Sequence, residues 1–295
     1  MTGRPPDSSG EFEIVQVRGL SLRVRRRGSG PAVLFIGGLG NDMTVWDSLC
    51  AEAEGITAVT VDAPGMGESS MPRRPLYMRE LARVYKELID TLDLDSPTVV
   101  GYSFGGAVAQ QLAIQSPGAV SRLVLCATGP GLGGVPGDPV ALMEISTPSR
   151  YYSIERLRRV SPLLYGGMRA RKQSRFHAEQ VARTMAPPSA LGYSYQMFAL
   201  MGWSSLPWLP RIQAPTLIVA GDDDPVFPLA NAHLMAACIP HATVAVRGGS
   251  GHLVVIDDAP SLGPLISRFA RNLDLPTSAD TNHPEGLHDD LQRIQ

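Results

Sequence analysis

Short apolar runs alternate with longer amphipathic ones along most of this chain. Residues 32–36, 56–61, 97–100, 122–127, 214–220 and 243–246 are apolar at successive positions. That is the pattern of strands buried on both faces, as in a parallel sheet covered by helices. The stretches between them, 45–54, 77–92, 106–113, 229–238 and 259–273, read as helices. In 77–92 the apolar residues Leu81, Val84, Tyr85, Leu88, Ile89 and Leu92 recur at helical spacing. Residues 13–28 alternate instead and turn at Arg18-Gly19, which predicts a β-hairpin.

The alternation stops near Thr128 and resumes at Ala214. Between them the spacing predicts helices and no strand. The expected fold class is therefore α/β: a mostly parallel sheet flanked by helices, with an inserted helical cap. The expected parts are an unstructured N-terminus (1–12), a core (13–130 and 210–274), the cap (131–209) and an unstructured tail (275–295). His283 and His288 fall in that tail and are read as unstructured rather than as metal ligands.

Composition narrows the function. With 295 residues, 44% of them hydrophobic, the chain can bury a large core. A net charge of -2 gives no electrostatic case for nucleic acid or an anionic membrane. Three separated cysteines, Cys50, Cys126 and Cys238, suit reduced core thiols. No leader-like apolar stretch opens the chain, and no segment approaches the ~20 apolar residues needed to span a bilayer. The expectation is a cytoplasmic protein without a transmembrane segment. No nucleic-acid partner is expected. The cap holds nine Arg and Lys against four acidic residues, read chiefly as a solvated surface. Its methionines and aromatics are expected mainly in the cap's own core, some facing a cleft beneath it.

The candidate chemistry begins at Gly101-Tyr102-Ser103-Phe104-Gly105, between a predicted strand and a predicted helix. A serine pinched at such a turn presents its hydroxyl as a nucleophile. A hydroxyl needs a base, and the base needs an orienting carboxylate. His252, in the glycine-rich loop Gly248-Gly249-Ser250-Gly251-His252, is the candidate base. His177 in the cap, His233 inside a helix and His241 beside Pro240 suit the role less well. Asp222, Asp223 and Asp224 compete as the carboxylate, and the spacing Gly221-x-x-Asp224-x-x-x-Pro228 favours Asp224. Two backbone N–H groups should hold an oxyanion: that of Phe104 at the helix start, and that of Leu39 in Gly37-Gly38-Leu39-Gly40. Asp62, in the run Asp62 to Ser69, reads as a turn-shaping residue. No cofactor and no metal are expected.

The nucleophile–acid–base order Ser103, Asp224, His252 resembles that of α/β-hydrolases across about residues 13–273. Stretches such as Pro148-Ser149-Arg150-Tyr151-Tyr152, Gly192-Tyr193-Ser194-Tyr195-Gln196-Met197-Phe198-Ala199 and Gly202-Trp203 are similar to intracellular depolymerases of medium-chain-length polyhydroxyalkanoates. The resemblance implies a serine esterase that cleaves carboxylic esters through an acyl-enzyme, its partner a polyester of 3-hydroxy fatty acids or a small-molecule ester substrate. Phe104 stands where those depolymerases tend to have tryptophan. Many relatives carry His-Gly where this chain has Gly37-Gly38, so that histidine's side-chain contact is missing here. Other reactions open to the same three residues are small-ester or lactone hydrolysis, thioester hydrolysis and haloperoxidase-like perhydrolysis. The alternative of another class is a non-catalytic ligand-binding protein of the same fold.

Overall fold

A single sheet runs through the molecule, and its strands explain the apolar runs. The computed structural model describes residues 10–275 and, for the backbone alone, 289–293. The strands are β1 (Glu11–Val17), β2 (Leu20–Gly28), β3 (Ala32–Ile36), β4 (Thr57–Val61), β5 (Thr98–Tyr102), β6 (Arg122–Cys126), β7 (Thr216–Gly221), β8 (Ala242–Arg247) and β9 (Asp289–Arg293). Their spatial order is β1-β2-β4-β3-β5-β6-β7-β8-β9. From β4 to β8 every pairing is parallel; β1, β2 and β9 join antiparallel. Most of the tail expected to be unstructured lies outside the described residues. Its one described strand, β9, was not foreseen in the sequence.

Side chains of the central strands alternate between two cores. Leu34, Ile36, Val99, Leu123, Leu125 and Ile218 face one. Val33, Phe35, Val100, Val124, Cys126, Leu217 and Val219 face the other. Helices α2 (Met78–Thr91), α3 (Phe104–Gln115) and α9 (Ala230–Cys238) cover the first face. Helices α1 (Asp47–Glu52), α10 (Val254–Asp257) and α11 (Ala259–Ala270) cover the second. Both faces being covered is why these strands lack the apolar–polar alternation seen in the hairpin. Helix α3 is buried from Phe104 through Ala113. It has no polar face because the inserted segment covers the side turned away from the sheet, as the Trp203 and Ser205 hydrogen bonds to Gln111 and Gln110 show.

Between β6 and β7 the chain forms α4 (Pro139–Ile145), α5 (Ile154–Leu164), α6 (Gly167–Lys172), α7 (Ser174–Thr184) and α8 (Ala190–Leu200), with short 3-10 turns. Extended pairing among the described residues of this insertion is limited to a bridge from Gly131 to Ser204. Four of its nine basic residues pair with carboxylates: Arg156 with Glu144, Arg158 and Arg175 with Glu179, and Arg171 with Asp223. The methionines depart from expectation. Met185 is buried, but Met143, Met168 and Met201 are exposed. Among the described residues, no helix is long and apolar enough to cross a membrane.

Cys50 and Cys126 are free and buried. Burial pushes both thiols up to about 12, so little reactive thiolate forms near neutrality. Both are expected to escape alkylation by iodoacetamide in the folded protein and to react after denaturation. Peptide mass spectrometry before and after unfolding checks this.

Candidate active site

Strand β5 ends at Tyr102 and helix α3 starts at Phe104, leaving Ser103 alone in the turn. Ser103 has φ 52° and ψ -115°, a strained conformation for a residue with a side chain. The turn survives because its neighbours leave no room for another path. A Cβ on Gly101 would lie 2.5 Å from the Gly105 carbonyl oxygen, and one on Gly105 would lie 2.1 Å from that of Ile36. Glycine at both positions lets α3 press against the ends of β3 and β5. The Ser103 N–H donates to the Cys126 carbonyl at 2.9 Å, and the Thr128 hydroxyl donates to the Ser103 carbonyl at 2.8 Å.

His252 reaches this serine from the loop after β8. Its Nε2 lies 3.1 Å from Ser103 Oγ, and its Nδ1 lies 2.9 Å from Asp224 Oδ2. An ionised carboxylate only accepts, so Nδ1 carries the proton and Nε2 presents its lone pair to the serine hydroxyl. The imidazole sits between the rings of Tyr102 and Phe227, with centroids 5.4 and 5.7 Å away. Its backbone N–H donates to the Tyr165 carbonyl at 2.7 Å, a contact made by the insertion. All three side chains are buried: Ser103 is 5%, Asp224 6% and His252 2% exposed. Burial keeps the Tyr102 hydroxyl well above the usual phenol range, so this neighbour stays neutral.

The three competing aspartates have separate partners. Asp222 accepts from the Gly249 N–H at 2.7 Å and shapes the loop that carries His252. Asp223 accepts from the Gly167 N–H at 2.9 Å and pairs with Arg171, tying the insertion to the core. Asp224 alone of the three meets His252. Its other oxygen accepts from the Val226 and Phe227 N–H groups at 2.8 and 3.0 Å, which fixes the carboxylate plane. Asp62 lies in a different loop. It accepts from the Met43 and Glu68 N–H groups at 2.8 and 2.9 Å, the partners of a turn-shaping residue.

Leu39 and Phe104 follow β3 and β5, two neighbouring parallel strands. Neither N–H has a protein acceptor among the described residues. The close approach of Gly105 to the Ile36 and Gly37 carbonyls brings the Leu39 loop against the start of α3. No group of three or more His, Cys, Asp or Glu among the described residues could hold a metal ion.

Two further clusters were not visible in the sequence. Arg150, in the insertion, is 3% exposed and hydrogen-bonds three tyrosine hydroxyls. One of those tyrosines, Tyr151, donates to the Leu39 carbonyl at 2.9 Å. His177 is also buried. Its Nδ1 lies 3.1 Å from Ser161 Oγ, and its Nε2 lies 3.1 Å from both Asp257 oxygens, joining α5 and α7 to α10. These contacts join residues 1 to 112 positions apart, and although Arg150, Tyr151 and Tyr193 lie in stretches that carry the resemblance, no pattern in the sequence gathers either cluster.

A model of the alpha/beta hydrolase fold family matches residues 31–259. A poly(3-hydroxyalkanoate) depolymerase of Ectopseudomonas oleovorans is 37% identical over 262 residues, covering 88% of this chain and 92% of its own. Among solved structures, an esterase from Exiguobacterium antarcticum superposes with TM-score 0.74 at 21% identity, covering 89% of this chain and 99% of its own. The enol-lactonase of Burkholderia xenovorans LB400 superposes with TM-score 0.71 at 20% identity, covering 85% and 96%.

Proposed function

The chain belongs to the α/β-hydrolase fold family, and on that basis we propose that it is a serine esterase working through an acyl-enzyme on Ser103. One observation carries this reading: the two nitrogens of His252 join a strained, glycine-flanked serine to a fully engaged carboxylate. Nε2 takes the Ser103 proton as Oγ attacks the ester carbonyl carbon. Asp224 holds the tautomer and stabilises the imidazolium that forms. The Leu39 and Phe104 N–H groups receive the negative charge on the former carbonyl oxygen. Collapse expels the alcohol, which leaves with the proton from Nε2. Water, deprotonated by the same nitrogen, then attacks the acyl-enzyme, and the second collapse returns the proton to Ser103.

For the substrate we propose polyhydroxyalkanoate or medium-chain 3-hydroxyacyl esters. Support comes from the poly(3-hydroxyalkanoate) depolymerase, which matches nearly end to end. The inserted segment 131–209 is then a cap over the ester. A panel of p-nitrophenyl esters of graded chain length tests this reading, with kcat/KM as the readout. Medium chains are expected to exceed acetate by about tenfold or more, as burial of several extra methylenes would give. Preference for acetate, a lactone, a thioester or peracid formation would move the reaction to one of the other classes.

A further inference from the structure

The proposed oxyanion loop is loose by its own chemistry. Gly37-Gly38-Leu39-Gly40 has one side chain in four residues, and Gly40 has φ +76°. Yet an oxyanion donor acts by being held in place before the charge develops. The fastening comes from outside the loop, on the peptide that joins Leu39 to Gly40. The carbonyl of that peptide accepts from the Tyr151 hydroxyl at 2.9 Å. Its N–H donates to Gln196 Oε1 at 2.8 Å. The Tyr193 ring packs so close that a Cβ on Gly40 would lie 2.9 Å from it. All three contacts come from the insertion between β6 and β7.

Arg150 joins these contacts to the base. Its Nη2 donates to the Tyr151 hydroxyl at 3.2 Å, its Nη1 to the Tyr193 hydroxyl at 2.9 Å, and its Nε to the Tyr165 hydroxyl at 3.1 Å. Tyr165 is the residue whose carbonyl holds the His252 N–H. The guanidinium lies over the Tyr151 ring, 4.4 Å from its centroid. Burial alone would weaken the charge, but the surrounding tyrosine oxygens outweigh it and keep the guanidinium protonated. Arginine has donors and no acceptor. Tyr151 must therefore offer Arg150 a lone pair, as it also does to Asn41 Nδ2 at 3.3 Å. Its single proton is left for the Leu39 carbonyl.

We propose that Arg150 is a positioning residue for the reaction: by polarising Tyr151 and bracing Tyr193 and Tyr165, it fixes both the Leu39 oxyanion loop and His252. This role rests on the esterase reading and assigns part of the reacting geometry to the insertion.

The test is turnover of a p-nitrophenyl ester by the full chain, normalised to the sites titrated by an organophosphonate. Tyr151→Phe removes only the hydroxyl and is expected to lower kcat per titrated site about tenfold, with KM nearly unchanged. Arg150→Lys keeps a charge but loses the fork, and is expected to lower it about 10- to 100-fold. A merely structural role would reduce the number of titrated sites and leave kcat per site intact. Full turnover per site in both variants would overturn the inference alone. If Arg150→Lys does not fold, Tyr151→Phe decides. Absence of ester turnover in the unaltered protein would overturn the esterase reading and this inference with it.

Discussion

Replacing Ser103 by alanine is expected to lower ester turnover by about a millionfold, to the level that binding and the oxyanion donors alone sustain. No other group can take over the attack, because His252 Nε2 is aimed at Ser103 Oγ and at no other hydroxyl in the described residues. The fold should persist. Alanine removes only one buried oxygen, whose hydrogen-bond partner is the imidazole, and the hydrogen bonds of the turn are made by backbone and by Thr128. The positive φ at 103 disfavours alanine as it does serine, so no new strain enters. Steady-state kinetics and a thermal melt of the same preparation check both halves. Retained turnover in a variant confirmed by mass would remove Ser103 from the mechanism.

Asp224→Asn is expected to lower kcat by about ten-thousandfold while leaving the shape of the site unchanged. The amide can still accept from the Val226 and Phe227 N–H groups through its oxygen. Its NH2 then faces His252 Nδ1, which must become an acceptor. The imidazole proton moves to Nε2, where it can no longer receive the proton of Ser103. Asp222→Asn and Asp223→Asn should each stay within a few-fold of the unaltered protein. They touch a glycine N–H of the His252 loop and the Arg171–Gly167 contact, not the imidazole. Parallel kinetics on the three variants separate the adjacent aspartates. An equal loss at Asp223 would show that anchoring the insertion matters as much as orienting the base.

The parts of the molecule legible in the sequence are those with a local signature. Strands buried on both faces read as apolar runs, and the turn around Ser103 reads as glycines at fixed offsets. The Asp224 position followed from spacing to Gly221 and Pro228, and the structure gives its neighbours other partners. Arg150 lies in a stretch that carries the resemblance, Pro148-Ser149-Arg150-Tyr151-Tyr152, but nothing there marks its partners. In the sequence it is one of nine basic residues in a stretch with four acids, and four of the other eight have carboxylate partners. Its partners are neutral, three tyrosine hydroxyls and the Thr147 carbonyl, so neither charge pattern nor periodicity marks it. The methionines failed for a related reason. Hydrophobicity predicts an average tendency to be buried, and a helical insertion leaves outer faces that the core does not cover.

Ser161, His177 and Asp257 repeat the hydrogen-bond order of Ser103, His252 and Asp224 with comparable distances. A search by residue type and interatomic distance would therefore return both sets among the described residues. Ser161, however, lies within α5 and is fully covered, whereas Ser103 stands at a strand-to-helix turn. The second set acts as a rivet between insertion and core. On the proposed esterase reading, the same three functional groups serve one chain twice, once as reagents and once as hardware, and the backbone beneath the serine sets which.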